Sequence, residues 1–419
     1  MTAVTTDRMA TRATRIPLAK PRRWLSELDE SRVLGQRYTL VRASGADVTL
    51  ADETGVIRTY TDLMSAYGAV NFGHCNPDIR PFDDLTADLA GGCSTDAAEE
   101  VAAWLCERLG RPTSKVLFQV GGSFAVATAL ALAQRARPGR VVALRGAFHG
   151  LGVDALAATD VQRSYALQAT PLAVAIDDAF TFVTPGEELT VDWRTCSAFI
   201  FEPIQGANGY VPIDAAWLRE AVTAARAAGV TVIADEVQAG FHRHGPLSPS
   251  TSAGLDADVM LFSKSLTNGL FPWSAVVYDE RFESGLRDRT MLAHTFQTSA
   301  LGAAAALAVT RYLDATDVVG LGIRLERRLH DAARALRRLP GLERVYVTGP
   351  TLSFGAAPAV SAAIVQACVS EGVIPFTGGR AGERVRVAPP LTIPETQLDA
   401  ALDLLVTIAS SVTALNAGI

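Results

Sequence analysis

The sequence lacks most of what would mark a secreted, membrane-spanning or nucleic-acid-binding protein. Its 419 residues include five cysteines, Cys75, Cys93, Cys106, Cys196 and Cys368, and no CxxC pair. Thiols scattered in this way read as reduced and cytosolic, with no disulfide frame and no zinc site. His242 and His244 are spaced as a ligand pair, but no third ligand lies near in sequence, so no metal is expected. No apolar run approaches the roughly 20 residues a membrane helix needs. Charge of one sign is also scarce. The net charge of -6 gives no reason to expect nucleic acid or an anionic membrane as partner. The exception is the first 23 residues, with five Arg and one Lys against one Asp. They have no secretory-type apolar stretch and read as a frayed or loosely docked end rather than a targeting peptide. A cytoplasmic location follows as the expectation. Internal repeats and low-complexity linkers are missing too.

What is present suits a large folded core. Hydrophobic residues make up 49% and charged residues 20% of a chain long enough for two lobes. Residues 37 to 62 mix short β-like runs with turn signals and read as a small antiparallel ribbon. From about residue 97, helical and strand-like runs alternate: AAEEVAAWLCERLG, KVLFQV, SFAVATALALAQRA, VVALRG, then SAFIFEPI, VTVIADEV, DVMLFSK and SAVVYDE. Short apolar strands between helices predict an α/β fold with a mostly parallel sheet covered on both faces. A long helical stretch over 301–339 leads to a smaller α+β lobe, with the boundary near 315 to 330.

Ligands of open α/β sheets bind beyond the carboxyl ends of the strands. Four groups fall there. Gly121, Gly122 and Ser123 follow KVLFQV and open a helix, an arrangement that suits a phosphate and equally a plain turn with an N-cap. Phe148 and His149 follow VVALRG and read either as a ring-stacking pair or as a core aromatic beside a satisfied histidine. Asp235 ends VTVIAD, where a buried carboxylate needs a cationic partner: a pyridinium nitrogen or an arginine. Val237 and Gln238 follow it. Lys264 ends DVMLFSK. A lysine in low dielectric is a better nucleophile toward an aldehyde, although a lone lysine at a strand end also snorkels to solvent. Lys264 and Asp235 together suggest pyridoxal 5'-phosphate (PLP).

The ordered set FxxGGSxA, FHG, EPIQG, ADEVQAGF, FSKSLTNG, HTFQ and RVAPPL resembles the class III (subgroup II, ornithine/γ-aminobutyrate type) PLP-dependent aminotransferases, from 71–77 to 386–393. The resemblance implies PLP fold type I. Residues 65–320 would form a large PLP-binding domain. The N-terminal segment 1–64 and residues 321–419 would supply the small domain. It also implies a homodimer with active sites at the interface. Carried over by position, Lys264 is the Schiff-base lysine and Asp235 the pyridinium partner. Gly122 and Ser123 belong to the phosphate cup, Phe148 stacks on the ring with His149 nearby, and Val237 packs on the other face. Gln238 approaches the ring hydroxyl, and Glu202 lies near substrate and cofactor. Thr295 reaches the neighbouring subunit's phosphate. Arg386 binds the substrate carboxylate, with Arg384 and Arg380 as rivals.

The departures are Phe124 where an acid is usual, His242 where glycine is usual, Thr298-Ser299-Ala300, and the bulky Phe271 and Trp273. Phe124, Trp273 and Thr298 are expected near the substrate channel. The expected reaction moves an amino group from an amino-acid or amine donor to a keto acid or aldehyde, in specialised biosynthesis. Substrates that are free or attached to a larger carrier both fit. The alternatives are an aminomutase, racemase or decarboxylase on the same fold, or a non-catalytic PLP-fold protein.

Overall fold

The computed structural model describes residues 38–84, 94–161, 179–286, 292 and 294–417; the basic N-terminal stretch and Cys93 lie outside them. Seven strands form the central sheet, in the spatial order Lys115–Gln119, Ser274–Tyr278, Val259–Phe262, Thr231–Asp235, Cys196–Phe201, Arg140–Leu144 and Phe180–Val183. Neighbours run parallel, except that Ser274–Tyr278 is antiparallel to both of its partners. Every residue of Cys196–Phe201, Thr231–Asp235 and Val259–Phe262 is buried. These strands therefore read as unbroken apolar runs rather than as alternating ones.

The alternation reappears in where the side chains go. Phe199, Phe201, Val232, Ala234, Met260 and Phe262 enter one core. Ala198, Ile200, Ile233, Val259 and Leu261 enter the other, against Ala125, Val126 and Ala129 of the helix Gly122–Ala136. Successive strand residues point to opposite faces, so each strand feeds both layers.

Two smaller sheets flank this body. The expected N-terminal ribbon forms from Tyr38–Ser44, Asp47–Asp52 and Ile57–Asp62, and Val373–Ile374 from far along the chain adds a parallel fourth strand. The other sheet places Arg384–Val387 between Leu352–Gly355 and Phe376–Gly378. The helical stretch expected over 301–339 is two helices, Ala300–Ala315 and Val318–Leu336. Thr316 is extended between them, and the Asp317 side chain caps the second by accepting from Gly320 N at 2.8 Å.

One expectation needs correction. By length and composition the C-terminal helix is apolar enough over Glu395–Leu415 to cross a membrane. Its Leu398, Leu402, Leu405 and Ala409 are instead buried in the core, and the helix packs on Pro358–Ser370 and Val318–Leu336.

Candidate active site

The carboxyl ends of the parallel strands open on one cleft with a cavity volume of about 170 Å³. Gly122, Ser123, Phe148, His149, Glu202, Asp235, Val237, Gln238 and Lys264 all line it. At one end, Gly121 (φ 84°) turns the chain from strand into the helix that starts at Gly122. The first N–H groups of that helix have no partner within it, so they favour an anion. A Cβ on Gly122 would lie 3.0 Å from Val237 Cγ1. Ser123 Oγ accepts from Leu151 N at 3.2 Å, which ties this loop to the one after Phe148.

Asp235 is buried at the end of its strand. One oxygen accepts from Val237 N at 3.0 Å, and the other lies 2.7 Å from His149 Nδ1. An ionised carboxylate only accepts, so Nδ1 carries the proton. The partner of Asp235 within the protein is therefore a histidine rather than an arginine. His149 Nε2 is buried with no hydrogen-bond partner. Glu202 accepts from Phe148 N at 2.8 Å and Gly206 N at 3.3 Å. Burial pushes its carboxyl up to about 7, with His149 opposing and Asp235 adding to the rise.

Lys264 adopts φ 46° at the end of its strand and donates from Nζ to Tyr67 O at 2.9 Å. Burial pulls its ammonium down to about 8. Arg386 pushes the same way, and Glu202 and Asp235 oppose it. Gln238 Nε2 donates to the same carbonyl at 2.8 Å, while its Oε1 is buried without a partner. Tyr67 is the residue that sequence reasoning missed. It lies in a turn in which Ser65, Ala66, Tyr67 and Gly68 all have positive φ, from 47° to 76°. A left-handed conformation costs a non-glycine residue about 1–2 kcal/mol, so surrounding contacts hold this turn. A sequence with one glycine in four carries almost no sign of it. Gly150, Ala207 and Ser263 complete the lining, and none had a distinguishing residue type.

None of the three arginines lines the cleft, but Arg386 lies close enough to bear on Lys264. Its Nη1 donates to Gly206 O at 2.8 Å, and Nε and Nη2 donate to Thr377 O at 3.1 and 2.8 Å. The guanidinium lies 4.0 Å from the centre of the Phe376 ring. Arg384 is turned away to Arg344 O and Ser353 Oγ. Arg380 forms an ion pair with Asp160, which also binds Arg145.

Other residues fall elsewhere. Thr295 is exposed and does not line the cleft of its own chain. Trp273 is not in a channel, contrary to expectation. It is fully buried and stacked on Phe118 at 3.9 Å and 11°; Phe118 pairs with Ala275, two residues on in the antiparallel neighbour, so the two rings meet diagonally. Phe124 and Thr298 do not line the cleft either; Phe124 meets the ring of His294 edge-on. His242 takes φ 64°, the left-handed conformation that favours glycine, and lies with Nδ1 2.9 Å from Gly245 O. His244 Nδ1 lies 3.0 Å from Thr348 O.

The donor set suits a phosphorylated pyridine aldehyde. An anion-binding helix start, a buried carboxylate and an amine of lowered basicity share one cleft, and Gln238 Oε1 has an open acceptor position there. The comparisons agree. Residues 31–409 match the family model "Aminotransferase class-III". The chain is 27% identical over 399 residues to the 2-aminoadipate transaminase of Pseudomonas putida, covering 88% of this chain and 95% of that one. It is 30% identical to the acetylornithine aminotransferase of Streptomyces clavuligerus, with 88% and 90% covered. The ornithine aminotransferase structure from Toxoplasma gondii ME49 superposes with a TM-score of 0.80 at 21% identity, covering 93% of both chains. The chain therefore belongs to the class-III aminotransferases, PLP-dependent enzymes that transfer amino groups.

Proposed function

We propose that Lys264 is the amine that binds the cofactor aldehyde and then moves the proton in amino transfer, with Asp235 as partner of the ring nitrogen. The observation that carries this is the convergence of Lys264, Asp235 and the Gly122–Ser123 helix start on one cleft. Bound PLP supplies an electron sink that stabilises negative charge on the carbon being deprotonated. The protein supplies everything that orients it. Asp235, held by the His149 ring, would present its carboxylate to the ring nitrogen at the strand end. The N–H groups opening the helix at Gly122, with Ser123, hold the phosphate. Phe148 and Val237 would flank the ring, and Gln238 Oε1, which has no partner within the protein, would accept from its hydroxyl. Glu202 lies close enough to act on substrate and cofactor. At about 8, Lys264 holds a useful fraction of free amine near neutral pH and still accepts a proton.

Arg386 binds the substrate carboxylate, since a guanidinium can meet both oxygens. The relatives are named for 2-aminoadipate, acetylornithine, ornithine and 5-aminovalerate. These share an amine and a carboxylate on a short aliphatic chain, and we assign the donor to that class, with a keto acid as acceptor. A second copy of this chain completes the enzyme, through the exposed segment that carries Thr295. The test is to treat the PLP-loaded protein with borohydride and locate the fixed cofactor by mass spectrometry. Fixation on Lys264, its loss in Lys264→Ala, and loss of amino transfer in the same variant are expected. A Lys264→Ala protein that still transfers amino groups would disprove the assignment. An Arg386→Lys variant should raise KM for carboxylate donors more than it lowers kcat.

A further inference from the structure

The turn Ser65–Gly68 is the most strained segment near the cleft, and contacts from four parts of the chain hold it. Asp62 is buried, and its Oδ1 accepts from Met64 N at 2.7 Å and Ser65 N at 3.1 Å. Its Oδ2 lies 2.7 Å from His74 Nε2. The backbone of His74 is itself pinned, exchanging 2.8 Å hydrogen bonds with Gly45 in both directions. From the far end of the chain, Ala388 O accepts from Ser65 Oγ at 2.6 Å. From the segment after Lys264, Ser265 Oγ donates to Gly68 O at 2.9 Å. Strain over-determined in this way at a site points to a use.

We propose that this turn is a positioning device for Lys264, in which Asp62, paired with His74, locks the left-handed backbone so that the Tyr67 carbonyl faces the lysine amine. A carbonyl oxygen has two acceptor positions. Tyr67 O uses one for Lys264 Nζ and one for Gln238 Nε2. The two side chains are thereby held relative to each other through a single backbone atom. A free amine that donates an N–H to this carbonyl directs its lone pair elsewhere, which leaves it available to the cleft. A right-handed turn would rotate the Tyr67 peptide and withdraw the acceptor. Asp62 and His74 act through the turn and touch no substrate.

The inference rests on Lys264 being the reactive amine, so the experiment separates the two claims. Cofactor-free full-length protein is mixed with PLP and quenched with borohydride at intervals, and the rate of fixation at Lys264 is read by mass spectrometry. Asp62→Ala should slow fixation by about tenfold, the size of effect expected for one lost orienting hydrogen bond. It should lower kcat by more than it raises KM for the donor, because Arg386 meets the turn only through the Phe376 ring that Tyr67 packs against. Asp62→Asn keeps an acceptor oxygen for Met64 N and Ser65 N and should restore most of the rate. Ser265→Ala, a milder change that removes one outer contact, should slow fixation by a smaller factor. Fixation at the wild-type rate in both Asp62→Ala and Ser265→Ala overturns the proposal. So does an Asp62→Asn protein as slow as Asp62→Ala, which would assign the effect to charge. Fixation that persists in Lys264→Ala would instead overturn the underlying reading.

Discussion

Lys264 and Glu202 face each other's problem: each loses hydration on folding, and each responds by moving toward its neutral form. For Lys264 the folded chain releases the proton at about 8 rather than 10.5. Between those values the unfolded chain binds more protons, so stability rises with pH through that window. Lys264→Met should flatten this rise in cofactor-free protein, as measured by urea midpoints. A mutant curve parallel to the wild type would contradict the assignment. Glu202 has the opposite sign. Its folded form holds a proton up to about 7 against 4.5 unfolded, so its contribution is fully present below 4.5 and is lost as pH rises through 7. Glu202→Gln should remove that loss. Residue types of this kind were legible in the sequence because acids and amines at strand ends are conspicuous. The Tyr67 carbonyl was not, since every residue has one and only the turn's handedness gives it a role. The His149–Asp235 pair was half-legible: both residues stood out, but 86 positions separate them.

The strands were readable as elements because burial on both faces keeps them mostly apolar, with polar residues chiefly near their ends. The channel assignment of Trp273 failed for a related reason. An indole after Lys264 looks exposed in sequence, yet it belongs to the packing between the sheet and the helix Ala300–Ala315. Gly302 of that helix lies against it, and a Cβ there would sit 2.8 Å from the indole ring. Gly302→Ala should therefore destabilise the protein by about 1–3 kcal/mol through overpacking. Phe118→Ala, which removes the stacked ring, should cost about 3–5 kcal/mol. Denaturant midpoints test both, and a neutral Gly302→Ala would mean that the helix can shift off the sheet. Arg386 was singled out only through the register of RVAPPL. Its neighbours Arg384 and Arg380 differ from it in partners that lie far off in sequence, so spacing alone left them open.

For the whole molecule, several large apolar side chains lie in the open, among them Phe124, next to Ser123, and Leu151, hydrogen-bonded to it, at the mouth of the helix Gly122–Ala136. Phe124 is 46% exposed, Leu151 64% and Phe296 55%. A face like this suits a protein partner, and a second copy of the chain is the occupant proposed above. Sedimentation should show a dimer. Phe296→Asp should shift it toward monomer and weaken PLP retention, whereas a monodisperse wild-type monomer with full activity would remove the basis for the assignment.

Gly206 has a wider consequence. Its carbonyl accepts from Arg386, its N–H donates to Glu202, and a Cβ on it would fall 1.6 Å from Gln238 Oε1. The arginine proposed to bind the substrate and the residues proposed to retain the cofactor therefore meet at a single residue, through the two peptide groups that flank it. Specificity here is not a module that can be exchanged on its own. Efforts to retarget this enzyme by rebuilding the carboxylate end will first show up as leakage of cofactor, and designs that hold the Gly206 peptide in place will tolerate the most change at Arg386.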